Sequence, residues 1–283
     1  MQRVLSTYLF VQRKLTAAIL SEVARAEIPA IELFCSRGHF DYRSDEDARE
    51  LASWLAGHGI ALHSIHAPTA RDFNTMREST APLSISDPER VRRQEAVDEI
   101  KRALDLAEQI PFRYSIQHVA RARDAADPRR WDAACSSLEH LSLFARQRGI
   151  TIALENTPGE MATPANLKAF IDQTRLAGLK LCFDIGHAHL EGSVSDGIEA
   201  ARELIATTHI HDNRRERDDH LLPYEGTIDW DAALPALPQD APIVLELKEP
   251  AAAASSSDLQ VFAGTLRGAH GVFEKFEQAL AKA

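Results

Sequence analysis

Eight short apolar runs recur along the 283 residues of the chain, and longer stretches with helical spacing of apolar residues lie between them. Apolar runs with little polar alternation are typical of strands that are covered on both faces. Strands joined through single helices run parallel, and eight such units predict a closed (β/α)₈ TIM barrel, which typically needs about 250 residues. The predicted strands are Arg3–Phe10, Ala30–Phe34, Ala61–His66, Tyr114–Val119, Thr151–Glu155, Lys180–Asp184, Thr208–His211 and Ile243–Leu247.

No change in composition marks a domain boundary, so residues 1–283 are interpreted as a single domain. An open, doubly wound sheet is the alternative fold. A Gly-x-Gly-x-x-Gly sequence does not follow the first predicted strand, which weakens a dinucleotide-binding interpretation. Two helices have clear starting signals, because Asp87-Pro88 and Asp127-Pro128 each place an N-cap residue before a proline at the first helical position.

The composition narrows the functional classes. A net charge of −10, from 42 acidic and 32 basic residues, would repel polyphosphate, so broad nucleic-acid binding is not expected. Cys35, Cys135 and Cys182 are odd in number and widely spaced, which fits neither a disulfide framework nor a cysteine zinc site. We recognise no signal peptide, and no apolar run approaches the ~18 residues of a membrane-spanning helix. A cytoplasmic protein without membrane association is therefore expected.

Polar residues collect at the carboxyl ends of the predicted strands, where barrel enzymes form their active sites. Strands five to eight each carry such a residue within an apolar sequence, namely Glu155, Asp184, His209 and Glu246. A charged group of this kind is costly to bury unless it is paired or bound to a metal. Closure of the barrel would bring the four around a common axis. Three carboxylates and an imidazole predict a site for Mn²⁺, Co²⁺, Zn²⁺ or Mg²⁺.

Other polar residues near the strand ends have simpler explanations. His63 and His189 are interpreted as structural, because a lone histidine at a strand end is more often hydrogen-bonded than metal-bound. Glu32 and His39 either line the barrel mouth or cap a helix, and the sequence leaves both alternatives open. Most of the 12 histidines nevertheless fall at predicted strand ends, whereas chance placement would scatter them.

Two long connections, Thr69–Ser86 and Arg214–Tyr224, are candidate flaps over the barrel mouth. The second carries Arg214, Arg215 and Arg217, which could grip a phosphate or carboxylate of a substrate. A solvated basic run is the alternative interpretation of these arginines.

Five segments resemble the xylose isomerase-like barrel superfamily, which contains sugar isomerases, epimerases and the abasic-site endonucleases of the endonuclease IV type (AP endonuclease family 2). The combination of FDxGH with HxHDN…H…EGxIDW is specific for this superfamily, although each motif alone is weak evidence for it. The resemblance extends over strands three to eight, the greater part of the chain. The matching segments are LENTPG, FDIGHAHLEG, HIHDN, DDHLLPYEGTIDW and LELKEP.

For the sugar isomerases and epimerases, the resemblance implies that a single divalent metal is held by Glu155, Asp184, His209 and Glu246. Glu155 and Glu246 would also serve as the acid–base pair. His187 would contact the substrate, and we expect His220 and Arg217 to bind it as well.

For the endonuclease IV type, the resemblance implies up to three zinc ions and additional ligands. This sequence has metal-binding residues at the additional positions, so ligand identity alone does not separate the two branches. Tyr224 departs from both patterns, because glycine usually precedes the residue that corresponds to Glu225, and a tyrosine there would narrow the pocket. The additional positions are His66, His118, His187, Asp218 and His220.

The favoured interpretation is a metal-dependent isomerase or epimerase that acts on a sugar, a sugar phosphate or a keto-polyol. The metal would stabilise the enediolate that forms when a carbon-bound proton leaves, and Glu155 or Glu246 would take that proton. A dehydratase would need the same first step. The alternatives are an endonuclease IV-like zinc phosphodiesterase acting on abasic DNA, and a non-catalytic barrel that senses a metal or sugar. A homodimer would be unsurprising, since most soluble oligomers are symmetric pairs.

Overall fold

A sheet of eight parallel strands forms the centre of the computed structural model, which describes residues 1–70, 82–122, 124–174, 176 and 178–281. The strands are β1 (Arg3–Ser6), β2 (Ala30–Phe34), β3 (Ala61–His66), β4 (Tyr114–His118), β5 (Thr151–Glu155), β6 (Lys180–Asp184), β7 (Ile205–His209) and β8 (Ile243–Leu245). Strands β1 to β7 pair in chain order, and β8 pairs with β1. At the remaining seam, the amide of Ile210 donates to the carbonyl oxygen of Val244 at 2.8 Å, which brings β7 and β8 together.

Helices lie between successive strands and cover the outside of the sheet. They are α1 (Ala17–Arg25), α2 (Asp45–His58), α3 (Arg90–Leu104), α4 (Pro128–Arg146), α5 (Pro164–Thr174), α6 (Ile185–Glu191), α7 (Val194–Ala201), α8 (Trp230–Ala236) and α9 (Ala263–Leu280). The prediction of a (β/α)₈ barrel is therefore confirmed. None of the described helices has the length and apolar character of a membrane span.

Small apolar residues form a floor beneath the polar strand ends. Ile116, Ala153 and Cys182, on β4, β5 and β6, pack together and are fully buried. Because side chains alternate between the faces of a strand, the residue two positions further along each strand points to the same side. Those residues are His118, Glu155 and Asp184. Three of the polar strand-end residues thus lie directly above this apolar cluster.

Two predicted strands have different bounds in the structure. The first ends at Ser6 and continues as a 3₁₀ turn over Thr7–Phe10, in which the hydroxyl of Ser6 accepts a hydrogen bond from the amide of Tyr8 at 3.4 Å. The seventh covers Ile205–His209 instead of Thr208–His211. Its two threonines interrupt the apolar pattern, so the sequence did not show where this strand begins.

One of the two predicted helix starts is correct. Helix α4 begins at Pro128, and the side chain of Asp127 caps it by accepting a hydrogen bond from Arg129. The other prediction is wrong, because α3 begins at Arg90. There, the carboxylate of Asp87 accepts a hydrogen bond from the amide of Glu89 at 2.8 Å, which forms a turn before the helix. Most of the predicted flap that precedes α3, residues 71–81, lies outside the described residues.

A buried carboxylate on α3 collects three arginines at the outer face of the barrel. Glu99 is 2% exposed and accepts hydrogen bonds from Arg37 at 2.8 Å, from Arg102 at 2.5 Å and from Arg43. Tyr42 donates a further hydrogen bond at 2.9 Å. Burial alone would raise the pKa of Glu99, but the hydrogen bonds from Arg37 and Tyr42 lower it to about 2. This cluster connects the segment between β2 and α2 to α3.

We predict that Glu99→Gln lowers the free energy of unfolding by about 2 kcal/mol at neutral pH, the typical worth of hydrogen bonds to a charged group. The pKa of Glu99 is lower in the folded chain than its ordinary value of 4.5. The difference from wild type should therefore be complete above about pH 4.5 and disappear as the pH falls toward 2. Urea denaturation across this range measures it. Glu108→Gln, at an exposed ion pair with Arg148, is the control, and an equal loss in both variants would contradict the prediction.

Candidate metal centre and active site

The carboxyl ends of β5 to β8 bring the four predicted metal ligands together. Nδ1 of His209 lies 3.3 Å from an oxygen of Glu155 and 3.7 Å from an oxygen of Glu246. An oxygen of Asp184 lies 3.8 Å from the same nitrogen. All four side chains are buried, and each offers a ligand atom within 4.8 Å of the others. The structure thus places these residues in one group, which we call the axial group.

The chemistry of the axial group fits a divalent cation. Nδ1 of His209 is buried and makes no hydrogen bond within the described part of the chain. It faces carboxylate oxygens at 3.3 to 3.8 Å. Ligands at 2.0–2.2 Å from a tetrahedral Zn²⁺ would lie roughly 3.4 Å from one another, so the observed spacing leaves suitable room for an ion. The role of these residues as ligands stays a prediction.

A second potential metal group shares Glu155 with the axial group. Nε2 of His66 and Nε2 of His118 lie 3.2 and 3.0 Å from the same oxygen of Glu155. Burial alone would raise the pKa of Glu155, but the nearby imidazoles of His209 and His118 hold it well below its ordinary value. Glu155 is therefore a carboxylate at neutral pH, with one oxygen toward each group.

A third potential metal group consists of His187, His211, Asp218 and His220. Nε2 of His187 and Nε2 of His220 both lie 3.1 Å from one oxygen of Asp218. Burial alone would lower the pKa of His220, but Asp218 raises it to about 9. The rings of His211 and His220 stack with centroids 4.0 Å apart. All five residues predicted as additional ligands therefore lie in the second and third groups.

The start of α6 fixes the spacing between the axial group and the third group. Asp184 is the N-cap of this helix, and its carboxylate accepts a hydrogen bond from the amide of His187 at 2.7 Å. Asn156 holds the backbone of Asp184 through two hydrogen bonds of 2.8 Å, one to its amide and one to its carbonyl oxygen. A Cβ atom at Gly186 would lie 2.0 Å from the ring of His211, so only glycine allows this close approach. The FDIGH sequence thus sets the positions of the Asp184 and His187 side chains and leaves room for the ring of His211.

Two residues of the site were not assigned from the sequence. His211 lies two positions after His209 in HIHDN, and this spacing could have placed both on the same face. Glu32, which the sequence left open, is fully buried, and one of its carboxylate oxygens lies 3.0 Å from Nε2 of His209. Glu32 has no distinctive local motif, so only the folded structure shows its proximity to His209.

Three histidines outside the three groups, His39, His63 and His189, have structural contacts. Nε2 of His63 lies 3.4 Å from the hydroxyl of Thr207, and Nε2 of His189 lies 2.9 Å from that of Thr227. Both ring nitrogens of His39 are satisfied, since Nδ1 lies 2.7 Å from the carbonyl oxygen of Arg13 and Nε2 lies 3.0 Å from the hydroxyl of Thr7. His39 therefore does not belong to the three potential metal groups.

A single buried carboxylate anchors the loop after β7. One oxygen of Asp212 accepts hydrogen bonds from the amides of Asn213 and Ile228, at 2.9 and 3.2 Å. The other accepts from the amide of Tyr224 at 3.0 Å and from the indole of Trp230 at 2.9 Å. Asp212 thus holds the chain on both sides of Asp218 and His220, the two residues of the third group that lie in this loop.

The loop side chains differ in how closely they approach the site. Arg217 is 81% exposed and pairs with Asp219 at 3.5 Å, so its predicted contact with substrate stays a prediction. Tyr224 has a φ of 75°, in the left-handed region that favours glycine. This backbone conformation gives a physical reason for glycine at that position. The ring of Tyr224 packs toward Trp230 and Phe276, on α8 and α9.

A family model described as "Xylose isomerase-like TIM barrel" matches residues 20–263. Two uncharacterized proteins are similar to the chain. Protein y4fM of Sinorhizobium fredii is 26% identical over 204 residues, a match that covers 65% of this chain and 64% of that protein. Protein MJ1311 of Methanocaldococcus jannaschii is 26% identical over 272 residues, which cover 90% of this chain and 86% of that protein.

Several solved structures share the fold over nearly the whole chain. A D-tagatose 3-epimerase-like protein superposes with a TM-score of 0.78 and 22% identity, covering 99% of this chain and 97% of that one. L-ribulose 3-epimerase has a TM-score of 0.76 and 18% identity, with coverage of 100% and 97%. The IOLI protein with a binding zinc atom has a TM-score of 0.75 and 18% identity, with coverage of 99% and 98%. At these identities, the similarity concerns the fold.

We predict that Asp212→Asn destabilises the chain, because the amide group cannot accept the two hydrogen bonds that one carboxylate oxygen accepts. Each buried donor left unpaired costs about 1–3 kcal/mol. Urea denaturation of the metal-free protein measures the loss. Asp219→Asn, in the same loop, breaks only the pair with the exposed Arg217 and should cost less than about 1 kcal/mol. Equal stability of Asp212→Asn and wild type would show that Asp212 does not anchor the loop.

Proposed function

Since the chain belongs to the xylose isomerase-like TIM-barrel family, we propose that it is a divalent-metal-dependent sugar isomerase or epimerase. The observation that carries this proposal is the axial group, in which two glutamates and an aspartate surround a buried imidazole nitrogen. A cation bound there would supply positive charge to stabilise the negative charge that develops on substrate oxygens. The fold neighbours that are epimerases, and the IOLI protein with its zinc atom, support the same class of chemistry.

Within the axial group, Glu246 is the better candidate for the residue that removes the carbon-bound proton. Glu155 already accepts a hydrogen bond from His118 and lies 3.2 Å from His66. The carboxylate of Glu246 accepts no side-chain hydrogen bond from the described residues, and its closest imidazole nitrogens, on His209 and His220, are 3.7 Å away. A less constrained carboxylate can move toward a substrate proton more easily. Glu155 would then return a proton in an epimerase, whereas one carboxylate could serve both steps in an isomerase.

An aromatic wall beside the metal groups supports a small polyol as substrate. Tyr8 follows β1, and its ring lies 4.9 Å from that of His220 and 5.2 Å from that of Phe34. Phe34 stacks on His66 at 4.6 Å. Sugars present apolar C–H faces as well as hydroxyl groups, so an aromatic surface next to polar groups suits them. In this proposal, His187 and His220 orient the hydroxyl groups, and Arg217 contacts a charged end of the substrate.

The decisive measurement is exchange of a carbon-bound substrate proton with solvent deuterium, followed by NMR over a panel of ketoses and ketose phosphates. Exchange reports proton removal whether the product is an isomer or an epimer. We expect exchange by the metal-loaded wild type and a loss of about 10²–10⁴-fold in Glu246→Gln, the usual contribution of a general base. Glu249→Gln alters a nearby carboxylate that pairs with Arg13 and should behave as wild type. Exchange by Glu246→Gln at the wild-type rate would refute the role of Glu246, and no exchange by any loaded form would refute the proposed class.

A second candidate function, phosphodiester hydrolysis at abasic sites in DNA, is favoured by one specific observation. The second and third groups lie beside the axial group, and within each of them the ligand atoms also fall within 4.8 Å of one another. Adjacent metal ions can together stabilise the attacking and leaving oxygens of a phosphoryl displacement. The two candidates therefore differ in the number of ions that the chain would hold.

We predict about one metal per chain by elemental analysis if the chain is an epimerase, and close to three zinc ions per chain if it is the hydrolase. An abasic-site oligonucleotide would be cleaved only in the second case. His118 belongs only to the second group. The variant His118→Ala should therefore lower the zinc content only if that group holds a zinc ion. A single ion per chain, with intact abasic DNA, would exclude the hydrolase.

A further inference from the structure

A buried carboxylate on β2 supports the axial group from outside it. Glu32 is fully buried, and one of its oxygens accepts a hydrogen bond from Nε2 of His209 at 3.0 Å. Its other oxygen accepts a hydrogen bond from the hydroxyl of Ser64 at 2.7 Å. The two hydrogen bonds form a chain from Ser64 through Glu32 to His209, which faces the axial carboxylates with its other ring nitrogen.

The burial of Glu32 requires an explanation, because an isolated buried carboxylate is strongly unfavourable. Its hydrogen bonds to His209 and Ser64 satisfy both oxygens. A purely structural residue at this position could be apolar, as Ala30 and Phe34 on the same face of β2 are. The charge is therefore retained where it can act on the imidazole of His209.

An irregularity in the sheet gives independent support for this arrangement. Strands β2 and β3 pair Ile31 with Leu62, but the next pair is Glu32 with Ser64, so His63 is an extra residue in β3. A regular register would have placed His63, not Ser64, opposite Glu32. Such bulges redirect side chains and are common beside active sites. This bulge places a hydroxyl donor next to the Glu32 carboxylate.

We propose that Glu32 is a positioning residue that fixes the orientation and the proton of the His209 ring, so that Nδ1 is available to the metal. This inference rests on the metal site of the proposed function. A carboxylate that accepts the second N–H of a ligand histidine holds the ring in one tautomer and increases its basicity. Glu32 itself lies behind His209 and acts on the metal only through this imidazole.

The test measures the affinity of the metal-free protein for Zn²⁺ by competition with a chromogenic chelator. Glu32→Gln removes the charge with little change in shape and should weaken Zn²⁺ binding by about 10–100-fold, as other changes behind a ligand histidine do. Glu99→Gln is the matched control, since it makes the same chemical change at a carboxylate that is also buried but lies on α3. It should lower stability and leave the affinity unchanged.

A second measurement reports on the ring itself. The ¹⁵N imidazole spectrum of the zinc-loaded wild type should show His209 with a protonated Nε2 and a zinc-bound Nδ1. In Glu32→Gln, the Nε2 proton resonance should shift and exchange faster with water. If Glu32→Gln fails to fold, Ser64→Ala removes only the outer hydrogen bond and should give the same changes at smaller size.

The outcomes separate this inference from the proposed function. Wild type that binds no metal rejects the proposed metal site, and this inference with it. Wild type that binds zinc, together with a Glu32→Gln variant of unchanged affinity and unchanged His209 spectrum, overturns the positioning role alone. Weaker binding and an altered spectrum in Glu32→Gln, with a normal Glu99→Gln control, establish it.

Discussion

The carboxylates at the polar end of the barrel cannot be buried without positive charge at the same depth, and the surrounding structure meets this requirement. Glu155 and Asp184 are fully enclosed, and the imidazoles of His118, His187 and His211 lie within 3 to 4 Å of them. The mutual stabilisation of carboxylates and imidazoles makes the group compatible with a folded barrel. The same crowding of anionic oxygens around the buried nitrogen of His209 creates the space that suits a divalent cation.

This balance depends on the register of the strands, which two irregularities adjust. The bulge in β3 places Ser64 beside Glu32, and a second shift in β7 pairs Cys182 with Thr207 and Asp184 with His209. In a parallel sheet, a slip of one residue moves every side chain of a strand to the opposite face. The two shifts therefore decide which residues meet at the axis and which, like His63, turn elsewhere.

The loop after β7 adds the third group to the strand ends. Asp212 anchors this loop from below, so Asp218 and His220 are held over the mouth although they belong to no strand or helix. Nδ1 of His220 lies 2.9 Å from the carbonyl oxygen of Glu246, which links the loop to the axial group. Residues at the strand ends thus combine with residues of a loop, and loop residues can change, and alter substrate selection, without loss of the barrel.

The sequence by itself determined the eightfold alternation of strands and helices, since apolar runs and helical periodicity are local properties. It also identified nine of the polar residues that meet in the three groups, because their positions at strand ends and in the FDIGH, HIHDN and DDHLLPYEGTIDW segments are visible in the chain. The bounds of β7, the inclusion of His211 and the contact between Glu32 and His209 were decided only by the tertiary structure. Each depends on strand register or on a contact between residues distant in sequence, and such pairings are set by packing and charge compensation that no local pattern records.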